Sequence, residues 1–188
     1  MTSASTNVHY QAVFGRYFES PANLAPGAPF LWAYVDSHTY APGNEVSVHV
    51  NTSAKRLHAV VIRDGAIPAP VLTLTNLVGY AHDTPDQASI EGCGWPVTFC
   101  FRIDPDWTSG GYKLMVWAEE HSRLTAETVF IVRPQAGKGR NRILFVPPTA
   151  TWSAYNDWGG SNHYEGITGP NRDHYSPVVS ANRPFAKG

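Results

Sequence analysis

Cysteine is scarce, with two in 188 residues. Cys93 and Cys100 lack a C-x-x-C spacing, which argues against a disulfide or zinc framework; both are expected as buried thiols, Cys100 inside a strand. No apolar run approaches the length that spans a bilayer. The first seven residues have neither the positive nor the apolar part of a secretion signal, so a cytoplasmic protein away from membranes is expected. Charged side chains make up only 15% of the chain and the net charge is −1. The one basic run, Lys-Gly-Arg-Asn-Arg at 138–142, reads as a solvated linker, and nucleic acid is not expected as a partner. No G-x-S-x-G elbow, H-E-x-x-H pair, Walker loop or G-x-G-x-x-G turn is present, so the common hydrolase, zinc-protease and nucleotide readings gain no motif support.

What the chain does have is alternation. With 43% apolar residues it can bury a core. Val46, Val48 and Val50 alternate with polar residues after the Pro42-Gly43-Asn44 turn, and Ala59-Val60-Val61-Ile62 forms the next strand. A long, loop-rich connection is expected after Arg63-Asp64-Gly65. Val97, Phe99, Phe101 and Ile103 then share one face, Tyr112, Leu114, Val116 and Ala118 share another, and residues 128–132 are apolar throughout. Short strands between turns predict an immunoglobulin-like antiparallel β-sandwich over residues 35–134, after an N-terminal arm at 1–34. Val48, Phe99, Phe101, Leu114, Val116 and Phe130 are its expected core.

Residues 135–188 differ in texture. A polar linker leads to Ile143-Leu144-Phe145-Val146, a run with no alternation, expected as a strand buried on both faces and as the opening of an incomplete α/β domain. Thr149 to Gly160 follow, with two tryptophans, a tyrosine, an asparagine and an aspartate; rings with polar groups suit a pocket wall. Residues 161–188 are rich in turn-forming types and are expected to depend on contacts made elsewhere.

Tyr155, His163 and Glu165 offer a phenolate, an imidazole and a carboxylate, a set suited to a hard or borderline cation such as ferric iron. The alternative for His163 and Glu165 is an exposed polar loop, because alternate residues of an extended segment point to opposite faces. Trp152, Asn156 and Trp158 are candidates for a substrate pocket or for the layer behind the metal ligands, with packing under the loop as the alternative. His38, His49, His58, His121 and Asp173-His174 read as surface or turn residues.

The Trp-x-Ala-Tyr-Asn-x-Trp-Gly-Gly pattern at Trp152, Ala154, Tyr155, Asn156, Trp158, Gly159 and Gly160 resembles the large (beta) subunit of N,N-dimethylformamidase and its relatives. The Ile143 to Thr149 lead-in, the Asn182-Arg183-Pro184-Phe185 continuation, and the Tyr40-Ala-Pro-Gly, Asp106-Trp107-Thr108-Ser109-Gly110 and Phe130 to Pro134 segments extend the likeness over roughly residues 35–188. The resemblance implies an amidohydrolase that cleaves small N-substituted formamides at a mononuclear iron held by a tyrosine, a histidine and a glutamate, with Tyr155 as the tyrosine. The family's other two ligands lie in a Gly-His-x-Glu-Tyr-Trp motif that this chain lacks, and His163-Tyr164-Glu165 is not equated with it. The implied enzyme is therefore an oligomer or assembly in which a partner chain or a downstream segment supplies His and Glu, the isolated chain being inactive. The competing reading is a non-catalytic β-sandwich interaction module.

Overall fold

The computed structural model describes residues 21, 24–135, 137, 144–166 and 175–186. The basic run at 138–142, Ile143 and the Asp173-His174 pair lie outside the described residues. The chain divides into two compact units, one of residues 29–82 and 95–147, the other of 1–28, 83–94 and 148–188.

The first unit is a β-sandwich. Strands β1 (Leu31–Val35), β3 (Glu45–Thr52) and β6 (Phe99–Arg102) form a three-stranded sheet in the order β1-β3-β6. The second sheet has five strands in the order β2-β8-β7-β4-β5: β2 (Thr39–Tyr40), β4 (Arg56–Asp64), β5 (Ala69–Val78), β7 (Gly110–Ala118) and β8 (Thr125–Val132). Pairing is antiparallel except where the two-residue β2 lies parallel to β8. Because successive side chains face opposite ways, each alternating run sends its apolar set inward. Val46, Val48 and Val50 of β3, Leu57, Ala59 and Val61 of β4, and Tyr112, Leu114, Val116 and Ala118 of β7 are all buried. Leu114 sits in register between Val61 and Thr128. Phe130 stacks on Tyr112 with centroids 5.6 Å apart and meets Phe101 at 6.1 Å, so aromatic rings from both sheets meet in one core.

Of the expected core residues, Val48, Phe101, Leu114, Val116 and Phe130 are buried, and Phe99 is half-buried against them. Several local expectations are corrected. Val97 precedes β6 and is 49% exposed. Cys100 is exposed, because Phe101 takes the inward position of β6 and its neighbour must face out, where its sulfur lies 3.9 Å from Ser47 Oγ. The supposed long loop after Gly65 contains the ten-residue β5. Pro70 is tolerated there because β5 pairs only with β4, and a proline can turn its missing N–H to the open side of an edge strand. Asn76, at φ 58°, marks an irregularity in the same strand.

The run at 144–146 is also corrected. Leu144, Phe145 and Val146 are not in a strand and are 87%, 77% and 74% exposed. A doubly buried strand requires sheet neighbours on both edges, and among the described residues this run has none.

Among its described residues the second unit holds two short helices, α1 (Ala88–Glu91) and α2 (Thr149–Tyr155). Its C-terminal stretch bonds the segment around α1, the Cys93 N–H donating to the Asn182 carbonyl and the Ser180 N–H to the Ser89 carbonyl, both at 2.9 Å. Trp158, Asn162, Arg183, Ser176 and Asn156 are buried, a mostly polar set in which side chains bond backbone. No helix among the described residues is long and apolar enough to cross a membrane.

Candidate functional site

The aromatic segment is half helix and half turn. Ala150 and Ala154 suit a helix, and α2 carries Trp152, half-buried, with Tyr155 at its last position, 53% exposed. The chain then turns at Asn156, whose amide closes three backbone groups at once. Its Nδ2 donates to the Pro184 carbonyl at 2.8 Å, and its Oδ1 accepts from the N–H of Trp158 at 3.1 Å and of Ala186 at 3.0 Å. Trp158 is fully buried beneath this turn. Gly159 follows at φ +86°, and a Cβ there would lie 3.0 Å from the Ser89 backbone nitrogen of α1, so glycine is required twice over.

Arg183 is the largest charged group in this interior, at 1% exposure. Its Nε donates to the Ser180 carbonyl at 3.0 Å, Nη1 to the carbonyls of Trp158 and, at 3.1 Å, Ser161, and Nη2 to Ser153 at 3.4 Å. One guanidinium thus clasps the end of α2, the Trp-Gly-Gly turn and the loop beyond. Burial lowers its pKa to about 10, opposed by the nearby Cys93 and Asp157, so it stays charged at neutral pH. Burial pushes the Cys93 thiol well above its ordinary range.

His163, Tyr164 and Glu165 do not form the extended segment expected of them. They cap a tight turn closed by a Ser161–Gly166 bridge and built on Asn162, which is 0% exposed. Asn162 Oδ1 accepts the N–H groups of Tyr164 at 2.6 Å and Glu165 at 2.7 Å, while its Nδ2 donates to Asp157. The His163 N–H donates to the Ala154 carbonyl at 3.0 Å, which ties this turn to the end of α2. The residue brought onto Tyr155 is Tyr164: the rings stack with centroids 4.4 Å apart and planes 26° apart. The neighbouring Tyr155 hydroxyl raises the Tyr164 pKa above the usual phenol value. The His163 ring turns elsewhere, its Nδ1 lying 2.7 Å from the Ser176 carbonyl.

A metal centre needs several donors together. Among the described residues no group of three or more His, Cys, Asp or Glu side chains gathers to hold a metal ion. Tyr155, exposed and oxygen-bearing, fits a hard cation as a single ligand, and the remainder of a coordination sphere is not supplied by these residues. A cleft of about 340 Å³ runs beside the same loop, lined by Ser89, Gly160, Ser161, Tyr175 and Ser176 among others.

Arg183, Asn162 and Tyr164 were not singled out as site residues from sequence. Asn162 gave no signal, whereas Arg183 lies in the Arg-Pro segment and Tyr164 between two candidate ligands.

These features define a β-sandwich protein with a second, polar-cored unit that displays a braced tyrosine. The chain belongs to the N,N-dimethylformamidase beta subunit-like family, whose C-terminal model matches residues 53–188. Among solved structures, it is similar to Spo0M, a sporulation control protein from Bacillus subtilis, at 12% identity and a TM-score of 0.32, over 58% of this chain and 50% of that one. The aligned region thus spans half the length of that protein. No curated protein matches the chain.

Proposed function

We propose that the chain is a section of an amidohydrolase acting on small N-substituted formamides, in a cytoplasmic, oligomeric assembly, and that Tyr155 supplies one ligand to its iron. The family match over residues 53–188 carries this reading. A phenol held outward at the end of α2, above a turn whose interior is clasped by Arg183 and Asn156, supports it. In this reading the His and Glu ligands come from another chain or segment, with His163 and Glu165 as weaker candidates. Trp152, half-buried on α2, forms the pocket wall toward N-alkyl groups, while Asn156 and Trp158 serve behind it by holding the loop. Iron would supply Lewis-acid activation of amide and water; this chain's own contribution is to orient one oxygen.

The exposed run Leu144, Phe145 and Val146 favours a second reading, an interaction module without catalysis, since adjacent exposed apolar residues mark surfaces that bind other protein. Isolation of the native assembly separates the two. Stoichiometric iron and hydrolysis of N,N-dimethylformamide that a chelator abolishes would support the first. An assembly that is stable, iron-free and inactive toward formamides would support the second.

A further inference from the structure

We propose that the cleft beside the Trp-Gly-Gly turn binds a small alkylammonium ion, with Asp86 and Tyr175 at its rim and the Ser89–Ser161 pair at its floor. The proposal stands apart from the reading of Tyr155 as a metal ligand, since Tyr155 does not line the cleft.

The cleft, of about 340 Å³, lies wholly within the second unit, between three segments far apart in sequence: the entry to α1, the Gly159-Gly160-Ser161 turn and residues 175–177. Hydrogen bonds lock these segments together. The Ser89 and Ser161 hydroxyls lie 2.8 Å apart, the Ser89 carbonyl accepts the Ser180 N–H at 2.9 Å, and the Ser176 N–H donates to the Asn162 carbonyl at 2.8 Å. Gly159 is packed on Ser89 and Gly160 sits at φ +101°, so the turn keeps the space free of side chains. A preformed concavity of this size is in the range of small-molecule sites.

Its chemistry is sorted by depth. Ser89 and Ser176 are buried, whereas Asp86, Tyr175 and Pro177 are exposed. Two hydroxyls that bond each other use one O–H between them, which leaves the second O–H and the remaining lone pairs for a ligand. Among the described residues lining the cleft, Asp86 carries the one formal charge, and it forms no ion pair with another described residue.

These groups select by charge and by shape. The carboxylate disfavours anions and attracts a cation, and the Tyr175 ring offers a second site of attraction for positive charge. Ile90 and Pro177 add apolar surface. An ammonium bearing alkyl groups uses all of these, its N–H donating to carboxylate or hydroxyl oxygen and its alkyl groups resting on ring and apolar wall. A wholly apolar ligand would leave the floor hydroxyls unpaired. An inorganic cation would gain nothing from the apolar wall.

The test titrates the full chain at low salt with triethylammonium, the neutral N,N-diethylacetamide and the anion 2-ethylbutyrate, reading amide chemical shifts and calorimetric affinity. Triethylammonium should bind saturably and shift the signals of Ser89, Gly160 and Ser161, and the other two probes should bind more weakly. Asp86→Asn should weaken triethylammonium binding about 3-fold, and Asp86→Glu should restore most of it. Tyr175→Leu should weaken it about 3-fold as well. Both positions are exposed, so the melting temperature should not change. Equal affinity for the three probes, shifts that do not saturate or lie outside the cleft, or an affinity unchanged in both Asp86→Asn and Tyr175→Leu would overturn the proposal.

Discussion

Arg183 carries a buried positive charge whose hydrogen bonds go to carbonyl oxygens of three separate stretches of backbone. Hydrogen bonds from a charged donor are stronger than neutral ones, and removing the donor leaves buried acceptors unpaired. Replacing Arg183 by methionine should therefore lower stability by about 3 kcal/mol. Arg183→Lys should recover little, because a single ammonium cannot span the fork. Denaturant unfolding of both variants is the check. The two cysteines give a second prediction. Cys93 is buried and Cys100 exposed, so a thiol reagent at mild alkaline pH should label one thiol quickly and the other only on unfolding. The folded Cys93 thiol keeps its proton above its ordinary pKa of 9.0 while the unfolded one ionises, so its contribution to stability is present below pH 9.0 and lost as pH rises. Cys93→Ala should flatten that part of the stability profile, measured by denaturant unfolding across pH 8 to 10.

At the scale of elements, β3, β6 and β7 were readable because inward and outward residues alternate around Val46, Phe101 and Leu114, and β8 was readable as a continuous run around Phe130. Phe101→Ala should cost about 3–5 kcal/mol, measured by denaturant unfolding. Strand β1 escaped notice because all five of its residues are buried, which erases the alternation. Strand β5 escaped because Pro68 and Pro70 read as loop punctuation, and only its edge position makes Pro70 tolerable in the strand. The run at 144–146 was misread for the opposite reason, since an apolar composition suits a buried strand but cannot provide sheet neighbours. In the candidate site, Tyr155 was legible through its motif. The work of Asn162 and Arg183 was not, because it consists of contacts to backbone groups distant in sequence, which no local pattern encodes. Gly159 offers an element-level check: Gly159→Ala forces a side chain into φ +86° and to 3.0 Å from α1, and should cost about 1–3 kcal/mol, read as a lowered midpoint of thermal or denaturant unfolding.

At the scale of the whole molecule, a β-sandwich and a polar-cored unit together carry one exposed, braced phenol and an exposed apolar run. The family match joins these to dimethylformamidase beta subunit-like proteins. The proposed role of the chain is to hold one oxygen where the rest of a metal site can be built around it. The most direct test compares wild type with Tyr155→Phe in the reconstituted assembly, measuring iron content and formamide hydrolysis together. Loss of most bound iron and of most activity, with the fold intact by circular dichroism, is the predicted result. Iron content and hydrolysis both unchanged in Tyr155→Phe would contradict the account.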